Sequence, residues 1–126
     1  MMELALLSPW IIFLFIGVLD FGFYAYSLIT LQTATRAAVV WNANHNTPAD
    51  SGTACTIVTN EMQSLPNMSG VTTCGGIVSV SASQVTGPDT ENAAQVSVTY
   101  TTPQMIPIPG LLAKQFTITR IATMKL

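Results

Sequence analysis

The stretch LALLSPWIIFLFIGVLDFGFYAYSLITL, residues 4–31, decides the fold of this chain of 126 residues. Asp20 is its only formally charged residue. The stretch is longer than the roughly 20 apolar residues that a helix needs to cross a bilayer. Its length, and the lack of a basic segment before it, fit poorly with a cleavable signal peptide. We therefore expect a membrane-length helix near the N-terminus. Inner-membrane anchors usually carry Lys or Arg on the cytoplasmic side of the helix, whereas the first basic residue here, Arg36, follows the apolar stretch. One explanation for the missing basic flank is that a short basic leader has been removed and Met1 is a mature or redefined start.

The helical pattern continues beyond the membrane-length stretch, through SLITLQTATRAAVVW at residues 27–41. Its apolar positions recur at helical spacing and are separated by polar ones. The apolar stripe comprises Leu28, Leu31, Ala34 and Ala38, and the polar positions are Gln32, Thr35 and Arg36. One long helix over about 4–41 is predicted, with its second half packed against the rest of the protein. Pro9 lacks a backbone donor and predicts a kink or local unwinding in the first turns.

Composition divides the chain into a hydrophobic stem, residues 1–41, and a polar head, residues 42–126. Overall 49% of the residues are hydrophobic and only 8% are charged, well below the roughly 25% that is usual in soluble domains. No basic run occurs anywhere, so nucleic acid is not expected as a partner.

The head predicts an α+β fold, in which a short helix and about three antiparallel strands pack against the upper half of the long helix. Asp50 and Ser51 are plausible caps of a helix over about 52–64. Three later segments alternate apolar and polar residues with the period of a strand. These segments are CGGIVSVSASQV, AAQVSVTYT and QFTITRIATM.

Cys55 and Cys74 are the two cysteines of the chain, and both lie in the head. A membrane-bound chain with a polar, Thr/Ser-rich head suggests export to an oxidising compartment. There, an even number of cysteines indicates a disulfide. Two unpaired buried thiols are the alternative.

The segment TTPQMIPIPGLLAK, residues 101–114, carries too many apolar side chains for all of them to be exposed to water. Either they cap the core of the head, or they form a contact with the next subunit, because exposed patches of this kind mark interfaces. The residues concerned are Met105, Ile106, Ile108, Leu111 and Leu112.

Residues 3–41 resemble the N-terminal segment of the TadE-like family, the pseudopilins of the Tad (Flp) pilus system. A Glu is followed by an apolar trio and a Pro, then by an apolar run ending in Gly-apolar-apolar-Asp-Phe-Gly, and finally by a Leu-Gln-small-Ala-x-Arg segment. The matching positions are Glu3, Pro9, Gly17, Asp20, Phe21, Gly22, Leu31, Gln32, Ala34 and Arg36. The Pro stands one residue further from Glu3 than the pattern has it. Residues 96–126 resemble the family's closing Pro-Gly-Leu and Thr-rich strand.

The resemblance implies a protein that a prepilin peptidase processes, that crosses the inner membrane, and that works with pilus assembly machinery. It also implies that the Glu3 carboxylate pairs with the N-terminal amine of a neighbouring subunit. That carboxylate usually belongs to the fifth mature residue, so either the mature start lies upstream of Met1 or the spacing differs. A simple interfacial charge at a helix N-terminus is the alternative for Glu3.

Asp20 has two possible environments. It marks the outer edge of a membrane segment over 4–19, or it is buried between packed helices, where Tyr24, Ser27 or a neighbouring subunit supplies donors. Gly17 and Gly22 either let another helix approach closely or are simply tolerated in a membrane helix.

No enzymatic chemistry is expected. His45 lies in an Asn-rich linker, the head carboxylates have no metal-ligand spacing, and no nucleophile stands beside a base. No cofactor is expected either. The resemblance, together with the apolar stem, implies a pilin-like subunit that forms a homo-oligomeric extracellular filament for surface attachment. The alternatives are a minor pseudopilin that stays in the inner membrane to prime or regulate a pilus, and a single-pass surface-binding module.

Overall fold

A computed structural model describes residues 2–104 and 115–126. Its elements follow in the order α1 (Met2–Asn44), α2 (Ser51–Glu61), β1 (Val78–Thr86), β2 (Asn92–Thr101) and β3 (Thr117–Lys125). The predicted α+β fold, with a long apolar N-terminal helix and three antiparallel strands, is confirmed. The predicted subunit-contact loop, Met105, Ile106, Ile108, Leu111 and Leu112, lies outside the described residues.

Helix α1 is longer than predicted, with 43 residues and a length of about 65 Å. It runs through Pro9 as continuous helix, so local unwinding there is not observed. It ends in a Schellman turn that the sequence pattern did not reveal. Asn46 takes the left-handed conformation (φ 53°), and Thr47 donates its N–H to the Asn42 carbonyl at 3.0 Å. Asn tolerates this conformation and therefore stops the helix.

The sheet has the order β1-β2-β3, and both strand pairs are antiparallel. Val98 lies opposite Val80 on one side and opposite Arg120 on the other. Both helices cover one face of the sheet, since α1 contacts β2 and β3 while α2 contacts β1. Ser and Thr side chains predominate on the other face, as the alternation predicts, although the exposed Ile121 also lies there.

The core lies between the helices and the sheet. The predicted helical stripe enters it: Leu31, Ala34 and Ala38 are fully buried, and Leu28 packs against them. Thr35 contradicts the prediction of a polar face, because it is buried as well. Its Oγ1 donates to the Leu31 carbonyl at 2.7 Å, so the hydroxyl is satisfied inside the helix and costs little to bury.

Helix α2 is shorter than the predicted 52–64. Asp50 is its N-cap, as predicted, and Asp50 Oδ1 accepts from the Thr53 N–H at 3.0 Å. After Glu61 the chain continues in turns, in which Leu65 donates to Met62 and Met68 donates to Leu65, both at 3.0 Å. These turns place an apolar side chain in the core every three residues, and the sequence pattern alone resembled a continued helix.

Candidate assembly surfaces

The first half of α1 stands free of the head. Every described residue from 2 to 15 is exposed, including Trp10 at 68% and Phe15 at 65% of full exposure. By length and composition this helix can cross a membrane. So large an apolar surface has to be covered by lipid or by protein.

The sequence-predicted assembly residues are distributed along this helix. Glu3 lies in its first turn and is exposed. A Cβ added at Gly17 or Gly22 would meet nothing within 4 Å, so both glycines are open to another helix. Arg36 lies on the half that packs against the head, about 50 Å along the helix from Glu3. The structure therefore does not bring Glu3 and Arg36 together within one copy.

Asp20 lies where the exposed half of α1 approaches the head. The residue is half-buried, and its Oδ2 is buried with no hydrogen-bond partner among the described residues. Neither donor considered for it within the chain bonds to this oxygen. The Ser27 hydroxyl donates to the Phe23 carbonyl at 2.9 Å, and the Tyr24 ring packs edge-on against Phe116 with centroids 5.9 Å apart.

Aromatic side chains attach the helix to the head just above Asp20. Besides the Tyr24–Phe116 contact, the Tyr26 hydroxyl donates to Ser64 Oγ at 3.1 Å. The sequence offered no signal for the Tyr26–Ser64 bond, because it joins residues 38 positions apart.

The head is closed by the predicted disulfide, which links Cys55 in α2 to Cys74 with Cα atoms 6.0 Å apart. A polar pair supports the same region. The Tyr100 hydroxyl donates to Asn67 Oδ1, and the Asn67 amide donates to the Thr101 carbonyl at 3.1 Å. Burial raises the pKa of Tyr100 to about 12. Asn67 begins an Asn-Met-Ser triplet, but its amide is occupied in this structural role.

The exposed His45 has a defined neighbour. Its ring stacks on Trp41 with centroids 4.0 Å apart, and its Nδ1 lies 2.9 Å from the Trp41 carbonyl. The spacing of four residues on a helix end would have predicted this contact. Among the described residues no group of three His, Cys, Asp or Glu side chains is placed to hold a metal ion.

These features define a class of protein in which an apolar N-terminal helix of membrane length carries a small disulfide-linked α+β head. The family model described as TadE-like protein matches residues 1–39, which confirms the resemblance of the N-terminal segment. No curated protein and no solved structure matches the chain. The family is structural rather than enzymatic. The match and the helix together fit a pilin-like protein of the Tad pilus system at the membrane or cell surface. The resemblance of residues 96–126 remains a prediction, because the match ends at residue 39.

Proposed function

We propose that this chain is a pilin-like structural subunit that assembles through the exposed half of α1 into an extracellular Tad-type filament serving surface attachment. The observation that carries the proposal is the two-part helix. One face of its upper half is buried against the head from Ser27 to Asn42, whereas its lower half is apolar and uncovered. A stem of this kind fits both a bilayer before assembly and the core of a bundle of stems afterwards. The proposed division of the chain places the filament core in residues 1–41 and the surface of the filament in 42–126.

Asp20 favours transfer of the stem from lipid into a bundle of stems. A carboxylate in a hydrocarbon environment costs several kcal/mol unless it finds partners, and Oδ2 finds none among the described residues of its own chain. In a bundle of stems a neighbouring copy supplies a donor. Gly17 lies on the same side of the helix as Asp20 and lets that neighbour approach closely, whereas Gly22 faces the other side and is open to a different copy. Neither glycine has any neighbouring atom within reach of an added Cβ.

Glu3 is proposed to pair with the N-terminal amine of the next subunit, as the family resemblance implies. It is exposed in the first turn of α1, away from the head, where a neighbouring subunit can reach it. Processing by a prepilin peptidase and export by the pilus assembly machinery would come before this step.

The test is electron microscopy of material sheared from cells, combined with mass spectrometry of the same fraction. We expect this chain to be the main component of the filaments. If it is found only in the membrane fraction, the filament proposal fails and a minor pseudopilin that primes or regulates assembly replaces it, since the same helix fits the inner membrane.

A matched pair of variants tests the role of Asp20. Asp20→Leu removes the carboxylate and should lower the filament yield, whereas Val18→Leu changes an exposed apolar neighbour and should not. Neither position belongs to the buried core, so the head should keep its fold in both. Normal filament yield for Asp20→Leu would show that Asp20 does not direct assembly.

A further inference from the structure

A groove lies between α1 and the free edge of β3. It encloses about 460 Å³. Gln32, Arg36 and Val40 lie on its helix wall, and consecutive residues 120–124 form its strand wall. Because five successive residues take part, the groove runs along the edge of the strand rather than over one face of the sheet. In the described part of the chain β3 pairs only with β2, so its other edge is open.

Both arginines of the chain line this groove, although the chain holds only four basic residues and has a formal net charge of −2. Arg36 comes from the helix and Arg120 from the strand, and both are exposed. Among the described residues the one recorded salt bridge joins Lys125 to Glu91. The two guanidinium groups therefore concentrate positive charge in a groove without a carboxylate of their own chain. A pair of guanidinium groups is suited to bind carboxylate.

Few of the described acidic side chains of the head are free to bind the two arginines of the groove. Asp50 caps α2 through Thr53, and Glu91 is paired with Lys125. Two exposed carboxylates remain without a recorded partner among the described residues, Asp89 and Glu61. Asp89 lies in the loop that joins β1 to β2, whereas Glu61 lies at the last turn of α2.

The loop that carries Asp89 has a fixed shape. Gly87 donates to the Glu91 carbonyl at 2.8 Å, and Thr90 donates to the Gly87 carbonyl at 3.1 Å. Thr123 lines both the groove and the small cavity beside this loop. The basic groove and the cavity beside the acidic loop are therefore neighbours on the head, and no ion pair among the described residues joins Asp89 to either arginine.

We propose that the groove binds the acidic 87–91 loop of a second copy of this chain, with the Asp89 carboxylate placed between Arg36 and Arg120 of its neighbour. Adjacent, unpaired opposite charges make this surface self-complementary, so two copies satisfy each other where one copy cannot satisfy itself. The contact joins heads, whereas the proposed function concerns stems. It rests on the proposed function only in that copies must stand side by side.

The test uses the full chain in vesicles of neutral phosphatidylcholine, so that anionic lipid does not compete for the arginines. Copies carrying Pro88→Cys are mixed with copies carrying Val40→Cys, and disulfide cross-linking between them is measured. The two native cysteines are already bonded to each other, so only the introduced thiols react. We expect a cross-link whose yield falls at high salt, which screens exposed charges.

Charge reversal tests the pairing itself. Arg120→Glu or Asp89→Lys should each lower the yield by about fivefold or more, because repulsion replaces an ion pair. Combining Arg36→Glu, Arg120→Glu and Asp89→Lys in every copy should restore it. Glu61→Lys is the matched control: it makes the same charge change as Asp89→Lys and should leave the yield unchanged.

Cysteines at the exposed stem position Val18 separate this proposal from the proposed function. If stems cross-link but Pro88→Cys and Val40→Cys do not, or if Asp89→Lys has no more effect than Glu61→Lys, the head contact is wrong and stem assembly stands. If neither stems nor heads cross-link, both proposals fail. The exposure of Asp89 outside the core makes misfolding a poor explanation for a negative result.

Discussion

The two halves of α1 have similar helical geometry and opposite surroundings. From Ser27 to Asn42 one face of the helix is buried under the head, and this face includes small side chains such as Ala34 and Ala38. Before Asp20 the helix is apolar around its whole circumference and contacts little else in its own chain. The upper half thus meets its packing needs within one copy, whereas the lower half requires a bilayer or other copies.

The largest expected effect comes from a matched pair of leucines. Leu31→Ala removes a fully buried side chain and should lower the free energy of unfolding of the head by about 3.5 kcal/mol. Leu14→Ala removes a side chain that is 63% exposed and should change that free energy by less than about 0.5 kcal/mol. Urea unfolding of the full chain in detergent micelles measures both. Equal losses would mean that the two halves do not differ as described.

The disulfide should stabilise only the head. Replacing Cys55 and Cys74 by Ala opens a loop with a sequence separation of 19 and should cost about 3 kcal/mol. Hydrogen exchange then provides the comparison within one sample. Amides of β2 should exchange faster, while those of α1 before Asp20 should stay protected in the micelle. Faster exchange in that part of α1 as well would show that the stem depends on the head.

High pH should weaken the head through Tyr100. Its pKa is raised from the ordinary 10.0 to about 12 by burial, so the folded state favours the protonated hydroxyl. The stability that this preference contributes is complete below pH 10 and is lost as the pH rises towards 12.

Tyr100→Phe is the control for this pH dependence. It should remove the decline that is due to Tyr100, at a cost of about 1 kcal/mol at neutral pH because Asn67 Oδ1 loses its donor. Urea unfolding at a series of pH values measures both effects. An unchanged decline between pH 10 and 12 in the variant would assign it to other groups.

The smallest effect is expected at the N-terminus of α2. The hydrogen bonds from Thr53 hold the pKa of Asp50 below its usual 3.8. The contribution of the cap is therefore present above that value and is lost as the pH falls through the lowered folded pKa. Hydrogen exchange of the first α2 amides should quicken in acid. In Asp50→Asn, which keeps a capping side chain without the charge, the acid dependence should disappear.

Local pattern predicted most of the fold, because its causes are local. Helical spacing identified the buried stripe through Leu31 and Ala38, alternation identified the three strands, and Asp50 marked the start of α2. The burial of Thr35 was missed, since residue type alone does not reveal that a hydroxyl is satisfied by its own helix.

The candidate sites were predictable only in part. Asp20 was noticed because a charge interrupts an apolar run. The groove could not be predicted, since Arg36 and Arg120 are 84 positions apart and meet only through the packing of β3 against α1. The Asn67–Tyr100 bond could not be predicted for the same reason. The match of residues 1–39 to the TadE-like family, in contrast, follows from a pattern that is continuous in sequence.

The absence of any break in α1 has a mechanical consequence. From Met2 to Tyr24, where the head first contacts the helix through Phe116, α1 is continuous helix and forms a lever of about 33 Å. A tilt of the head by about 10° therefore displaces the end of a stiff lever by about 6 Å. A twist of the head likewise turns Gly17 and Asp20, which share one side of the helix, towards or away from a neighbour. The orientation of the head thus determines the orientation of the stem.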